Sequence, residues 1–500
     1  MEIFGGLMQG FALALQPANL LWCLAGCALG TVVGIMPGLG PPATIAMLLP
    51  LTFLMNPASA MIMLAGIYYG AKYGGSTTSI LLNVPGESAS IVTCLDGYQM
   101  AKKGRAGAAL GIAAIGSFVG GVFSSLALAM VAPPLARFAL SFGPPEFFSL
   151  MLLGLCLVTG LAGRSLVAAL LMTLFGLLIA LIGIDPVRGA PRFTFGIAEL
   201  YDGLGFVPVV MGLFGVAEIL LTIERPFRQA LDTRIRGLWP SAEEWRRSGA
   251  AIWRGTGIGF VLGLIPGVGA VIPTFMAYIL EKRLSRHPEN FGNGAIEGVA
   301  APETANNAYA NASMIPLLVL GVPSSPTIAI LMGAFIINGL TPGPFLFKER
   351  PDLVWTVIAS FFIGNAILLI LNLPLVGLWA RLLRVPYQYL CTGTLLFCIV
   401  GAYSLKGTVF DVGVMLVFGV IGYLLRKLDF PLAPAVLALI LGPFMEKSLR
   451  TSLEMSGGDF GIFLERPISI TLIVLAALIV AVSTLRLAAL RTIRSAETRS

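Results

Sequence analysis

The stretch Gly34-Ile35-Met36-Pro37-Gly38-Leu39-Gly40 decides the fold, together with its echo Gly263-Leu264-Ile265-Pro266-Gly267-Val268-Gly269. Each sets a Pro and several glycines in the middle of an apolar run. Pro removes a backbone donor and Gly frees the backbone, so a helix stops there. Inside a bilayer such a stop is tolerated only where protein or a water-filled cavity satisfies the freed groups. Two stops of one form in one chain point to a duplicated unit built on broken helices.

Working outward, further echoes fall in the same order at a nearly constant offset. Gly30 is matched by Gly259, and ILLNVPGES at Ile80–Ser88 by LLVLGVPSS ending at Ser325. Ala136-Arg137 before GPPEFF is matched by Ala380-Arg381 before VPYQY. FGLLIALIGIDP (Phe175–Pro186) resembles FGVIGYLLRKLDFP (Phe418–Pro431), and Glu-Arg-Pro recurs at 224–226 and 465–467. Several matches in register are the mark of an internal repeat.

Composition places this repeat in a membrane. Of 500 residues, 57% are hydrophobic and 11% charged, against roughly 25% charged in soluble proteins. That is too little charge to cover a water-facing surface, which excludes a string of soluble domains. The formal net charge of +7 sits in short loops between apolar spans. It reads as the positive-inside bias of membrane loops, with no nucleic-acid partner implied. The cysteines Cys23, Cys27, Cys94, Cys156, Cys391 and Cys398 lie in or beside apolar stretches and read as packing residues. No basic residue precedes Lys72, so no cleavable signal peptide is expected.

At about 20 apolar residues per span, uninterrupted spans lie near 106–132, 147–163, 165–184, 203–222, 352–379, 388–404, 407–425, 431–445 and 468–485. The stretches 18–55, 58–100, 252–281 and 303–340 are interrupted by Gly and Pro and read as broken or re-entrant. The expectation is an all-α polytopic membrane protein of two inverted structural repeats, with about 11–12 membrane segments plus a C-terminal extra helix. The repeats cover 1–223 and 255–467, joined by a basic cytoplasmic linker at 224–254. An additional transmembrane helix at 468–486 and a basic tail at 487–500 follow. Inversion rests on charge: the loop at 224–254 carries seven arginines, whereas 446–467 carries Lys447, Arg450 and Arg466 against four acids. That difference puts the two closing loops on opposite sides and the N-terminus outside.

Repeats broken by Gly and Pro are the pattern of secondary transporters, in which half-helices meet around the substrate near the midplane. A half-helix that starts inside the membrane offers unpaired N–H groups suited to an anion. The helix breaks at Pro37, Gly38 and Gly40 and at Pro266, Gly267 and Gly269 are therefore candidates for a substrate or ion site. The second pair of breaks supplies candidate substrate-binding residues: Asn83, Pro85, Gly86, Ser88 and Ser90 in one half, Gly321, Pro323, Ser324, Ser325 and Thr327 in the other. Their hydroxyls can bond carboxylate oxygens without a full charge in the bilayer. Glu303, Asn307 and Asn311, spaced by four, form a polar stripe that faces a cavity or another helix. Tyr73, Ser76 and Thr77 are its first-half counterparts. Glu303 serves equally as a helix-start residue. Lys72 and Asp96 pair with substrate or with each other, Lys72 otherwise reaching for the interface and Asp96 forming a turn at the membrane edge. No catalytic residue, resident metal or cofactor is expected.

Together PGLG, YGGSTTSILLNVPGESAS with DGYQMAKKG, and APETANNAYANASMIPLLVLGVPSS resemble the large membrane (permease) subunit of the tripartite tricarboxylate transporter family, TctA-type. The similarity runs from about residue 17 to beyond 440. The resemblance implies a multi-pass permease of the bacterial inner membrane that imports carboxylates. It would be driven by a Na⁺ or H⁺ gradient and work with a small four-span membrane subunit and a periplasmic solute-binding protein. Two residues depart from the family pattern: Ser324 stands where a glycine usually follows Pro323, and Lys72 where an uncharged residue usually precedes Tyr-Gly-Gly.

Two other classes compete. An intramembrane enzyme lacks a base, because the one histidine, His287, lies in a charged loop with Lys282, Arg283 and Arg286. The chain also has no nucleotide-binding G-x-x-x-x-G-K-[ST] loop. An ion channel also uses broken helices, but would need neither a coupling ion nor a binding protein.

Overall fold

The computed structural model describes residues 2–36, 40–161, 165–185, 189–224, 235, 237–382 and 387–497. Among these the only strands form one small antiparallel ribbon, Gly183–Ile184 with Pro191–Arg192, and the other regular elements are helices. Among the described residues seven helices are long and apolar enough to cross a membrane: Pro17–Ile35, Ala106–Ala139, Phe206–Ile223, Pro351–Asn372, Val409–Lys427, Leu432–Met455 and Pro467–Thr484. Shorter apolar helices such as Pro41–Leu54 and Pro326–Ile337 lie between them. This is an all-α polytopic membrane protein.

Each interrupted stretch breaks where local chemistry demands it. The 26-residue helix Pro57–Leu82 starts on Asn56, whose side chain accepts from the Ala58 N–H at 3.0 Å, with Pro57 in the first turn. It stops at Asn83, which adopts the left-handed conformation (φ 57°) two residues before Pro85. The break between 58 and 100 thus falls at Asn83–Glu87, after which the chain resumes as Ile91–Lys102. In the second half, Glu297–Ala312 and Met314–Leu320 end the same way, on a left-handed Gly321 (φ 67°), and Ser325 caps the next helix, Pro326–Ile337.

The two halves also pack alike. In Pro17–Ile35, a Cβ on Gly26, Gly30 or Gly34 would stand 2.3, 2.5 or 2.3 Å from the carbonyl oxygens of Met63, Ile67 and Ala71. In Ala242–Gly263, Gly255 and Gly259 meet the carbonyls of Ala301 and Ala305 at 2.5 and 2.3 Å, and Gly263 meets the Ala312 side chain at 2.6 Å. Small residues every fourth position let helix backbones touch, which is how membrane helices gain packing energy without a hydrophobic drive.

One boundary moves. The helix Ala242–Gly263 begins well inside the stretch expected to be a linker through 254. Ser241 and Glu244 form a reciprocal capping box that starts it. Ser248, Ala251 and Ile252 are buried, so the helix is packed from its second turn onward.

Candidate functional site

Three breaks with described backbone converge on a cavity of about 630 Å³. Its walls are the segment after the first break (Gly40–Ala43), the first hairpin tip (Leu82, Val84–Ser88), the segment after the second break (Gly269–Val271) and the start of the capped helix (Ser325–Thr327). Tyr68, Lys72 and Tyr309 face it from the two hairpin arms. Phe214, Glu218, Thr222 and Arg426 complete the wall. Phe214 lies in a π-helical stretch, Met211–Val216, of the Phe206–Ile223 helix. Such an overwide turn displaces the residues that follow it and is common beside functional sites.

Of the residues expected at the breaks, the structure brings Gly40, Pro85, Gly86, Ser88, Gly269, Ser325 and Thr327 to this cavity. Pro37 and Gly38 lie outside the described residues. Asn83 forms the exposed corner of the first tip. Ser90 is buried beneath that tip, its carbonyl accepting from the Ser79 hydroxyl at 3.0 Å and its own hydroxyl unpartnered. Gly321, Pro323 and Ser324 sit behind the second tip. There the Ser324 carbonyl accepts from the Gly267 N–H at 3.1 Å and the Tyr309 hydroxyl at 3.4 Å, tying the tip to the PGVG break. Pro266 is half-buried at that break. Gly267 (φ 82°) presses on the backbone of Leu157 and Val158, 2.8–2.9 Å from where a Cβ would stand. Its glycine is required by turn geometry and packing, whereas Gly269 is the break glycine that meets the cavity.

The polar stripe is turned to neighbouring helices instead of the cavity, its asparagines to Ala106–Ala139. Asn307 donates to the Ser117 hydroxyl at 2.7 Å, and Asn311 to the Gly121 carbonyl and Ser125 hydroxyl at 2.8 and 3.0 Å. Glu303, fully buried, accepts from Ser76 at 2.5 Å and from Thr93. Tyr73 donates to Asn365 at 3.4 Å. Tyr73, Ser76 and Thr77 line a separate void of about 10 Å³ with Ser117 and Asn372. These bonds join helices, as intramembrane polar groups must where no water reaches.

Lys72 and Asp96 do not pair with each other. Asp96 is buried in Ile91–Lys102, and its Oδ1 accepts backbone N–H groups of Gly292, Gly294 and Ala295 at 2.7–2.9 Å. Oδ2 accepts from the Tyr278 hydroxyl at 2.8 Å. A glycine-rich turn is a nest for an anion, and this one latches a second-half loop onto the first half. Lys72 instead meets Glu87 at 2.8 Å, both side chains 5% exposed. Glu87 also accepts from Asn306 at 2.7 Å. Elsewhere in the wall Arg426 pairs with Glu218.

Glu87, Tyr68, Tyr309, Asn306, Glu218 and Arg426 escaped the motif reading. For Glu87 a signal was present: Lys72 and Glu87 are the only charges between Glu2 and Asp96. Two lone opposite charges in an apolar stretch should find each other, since an unpaired one is costly to bury. Glu218 and Arg426 lie on helices far apart in sequence, and no motif links them.

The site therefore combines uncharged hydroxyls, helix starts and two ion pairs around one cavity, an arrangement suited to a polar anion in a membrane interior. A family model described as the tripartite tricarboxylate transporter TctA family matches residues 20–437. The chain is 50% identical over 474 residues to a 52.8 kDa protein in the TAR-I ttuC' 3' region of Agrobacterium vitis, covering 95% of this chain and 94% of that one. It is 46% identical over 215 residues to a protein in the TAR-II ttuC' 3' region of the same organism, covering 43% of this chain and 89% of the relative. No solved structure matches the chain at a significant level. The matched region takes in both hairpins and every described wall of the cavity, and on that ground the chain belongs to the TctA family of tripartite tricarboxylate transporters.

Proposed function

We propose that the chain is the large permease subunit of a secondary transporter that imports tricarboxylates or related carboxylates across a bacterial inner membrane. Family membership makes it a component of a tripartite tricarboxylate transporter. The observation that carries the finer reading is the cavity at the meeting of the Gly40, Gly86, Gly269 and Ser325 segments. It is large enough for a small organic acid and is lined by groups that bond carboxylates. In this reading a periplasmic solute-binding protein delivers substrate, a small four-span subunit completes the permease, and a Na⁺ or H⁺ gradient drives uptake. The matched glycine packing of the two halves supports a repeat architecture in which one part of the bundle moves against the rest.

The test is uptake of labelled citrate into right-side-out vesicles that contain this chain and its small partner. The binding protein is added or omitted, under imposed Na⁺ or proton gradients. Uptake that needs both the binding protein and a gradient is the expected result and names the ion. Gradient-driven uptake without a binding protein would make it an ordinary carrier, and conduction with no gradient-coupled ion would make it a channel. Reporter fusions near Arg236 and Met455 test inversion; the same side for both would remove it.

A further inference from the structure

The cavity has two cation–carboxylate pairs, and they differ in what surrounds the cation. The Arg426 side chain is 34% exposed, so water competes for its donors. The Lys72 side chain is 5% exposed. Its ammonium has three N–H donors and, among the described residues, one acceptor, Glu87 Oε2. The Tyr68 ring covers another side, 5.4 Å from the nitrogen. What remains beside Lys72 is the cavity itself. Glu87 is held independently, because its Oε1 accepts from Asn306 Nδ2 at 2.7 Å. It can stay in place while the ammonium gains a second anionic neighbour.

We propose that Lys72 receives one carboxylate of the substrate through the donors that Glu87 leaves free, and that Glu87 sets how tightly it is held. The proposal rests on the carboxylate-carrier reading and makes Lys72 a residue that determines substrate charge. Glu87 cancels part of the ammonium's attraction in the empty cavity, which keeps a buried cation tolerable and lets the anion leave again. The other carboxylates of a polyacid are left to the uncharged hydroxyls of Ser88, Ser325 and Thr327. In a low-dielectric wall a charge-assisted bond of this kind outweighs the same contact made in water.

The test is citrate binding to the purified full-length chain in lipid nanodiscs, measured by calorimetry at fixed ionic strength and separately from uptake. Replacing both partners, Lys72→Met with Glu87→Gln, avoids leaving a buried charge alone. It is expected to weaken citrate about 10- to 100-fold. Glu87→Gln alone, whose amide oxygen still accepts from Lys72, is expected to tighten citrate about 10-fold, and Lys72→Arg to retain it within a few-fold. A merely structural pair predicts the opposite for Glu87→Gln. Weaker binding by that variant, unchanged binding by the folded double variant, or no citrate binding by the wild type overturns the proposal. Lys72-dependent binding without gradient-driven uptake would sink the carrier reading and leave this assignment standing. Intact uptake with binding indifferent to Lys72 would do the reverse.

Discussion

The two hairpin tips share a backbone and differ in what fills it. Both arms end on a left-handed residue, Asn83 in one half and Gly321 in the other, followed by Val-Pro. The first tip then presents Glu87, paired to a buried lysine and an asparagine. The second presents Ser325, whose hydroxyl caps a helix by accepting from Ile328 at 3.3 Å. The first tip is exposed at its corner, whereas the second is packed against Pro342 and the PGVG break. The same turn is thus used once to hold charge at the cavity and once to start a helix there. The two tips keep one backbone where packing constrains it and differ in the residues that face the cavity.

The largest effect should come where the halves are alike. Gly30→Leu and Gly259→Leu each drive a side chain into a carbonyl of the facing arm. The cost should exceed the ~1–3 kcal/mol of ordinary overpacking. Both variants should lose monodisperse protein after detergent extraction, and tolerance of one alone would show that the halves do not depend equally on this seam. Next is the pair of tip residues. Glu87→Ala strands the Lys72 ammonium and should cost roughly 3–5 kcal/mol, read as a lower thermal midpoint in nanodiscs. A loss under 1 kcal/mol, on the order of a surface pair, would mean that Lys72 finds water.

Smaller effects sharpen the contrast between the corners. Gly321→Ala places a Cβ in a left-handed conformation, about 1–2 kcal/mol of strain, and 2.7 Å from the Pro342 carbonyl. Asn83→Gly at the exposed corner should be close to neutral, so equal losses at both would erase the difference drawn between the tips. Ser325→Ala removes one cap and should cost about 1 kcal/mol. Thermal unfolding of the purified chain measures all three, and a Ser325→Ala loss as large as that of Glu87→Ala would show that the second tip also carries more than a cap.

Much of the site was legible in local chemistry. Pro and Gly act within a few residues, so the breaks at Gly40, Asn83–Gly86, Pro266–Gly269 and Gly321–Ser325 fall where the motifs put them. Periodicity showed that Glu303, Asn307 and Asn311 share a face, but not which neighbours it meets: Asn307 and Asn311 meet Ala106–Ala139, and Glu303 meets Ser76 and Thr93. The lone charge at Glu87 signalled a partner for Lys72, and the fold-back of the tip is what brings the two within 2.8 Å. The start of Ala242–Gly263 was hidden because its polar first turns look like a linker until their buried face is seen.

By itself, then, the amino-acid sequence determined the all-α membrane class, the family and the positions of the helix breaks. Each follows from solvation and backbone chemistry acting over a short stretch of chain. Only the tertiary structure decided that Lys72 belongs to Glu87, that Arg426 and Glu218 complete the cavity wall, and that the asparagine stripe joins helices. Those are contacts between distant segments, and a buried polar group is satisfied by whichever partner the packing brings within reach.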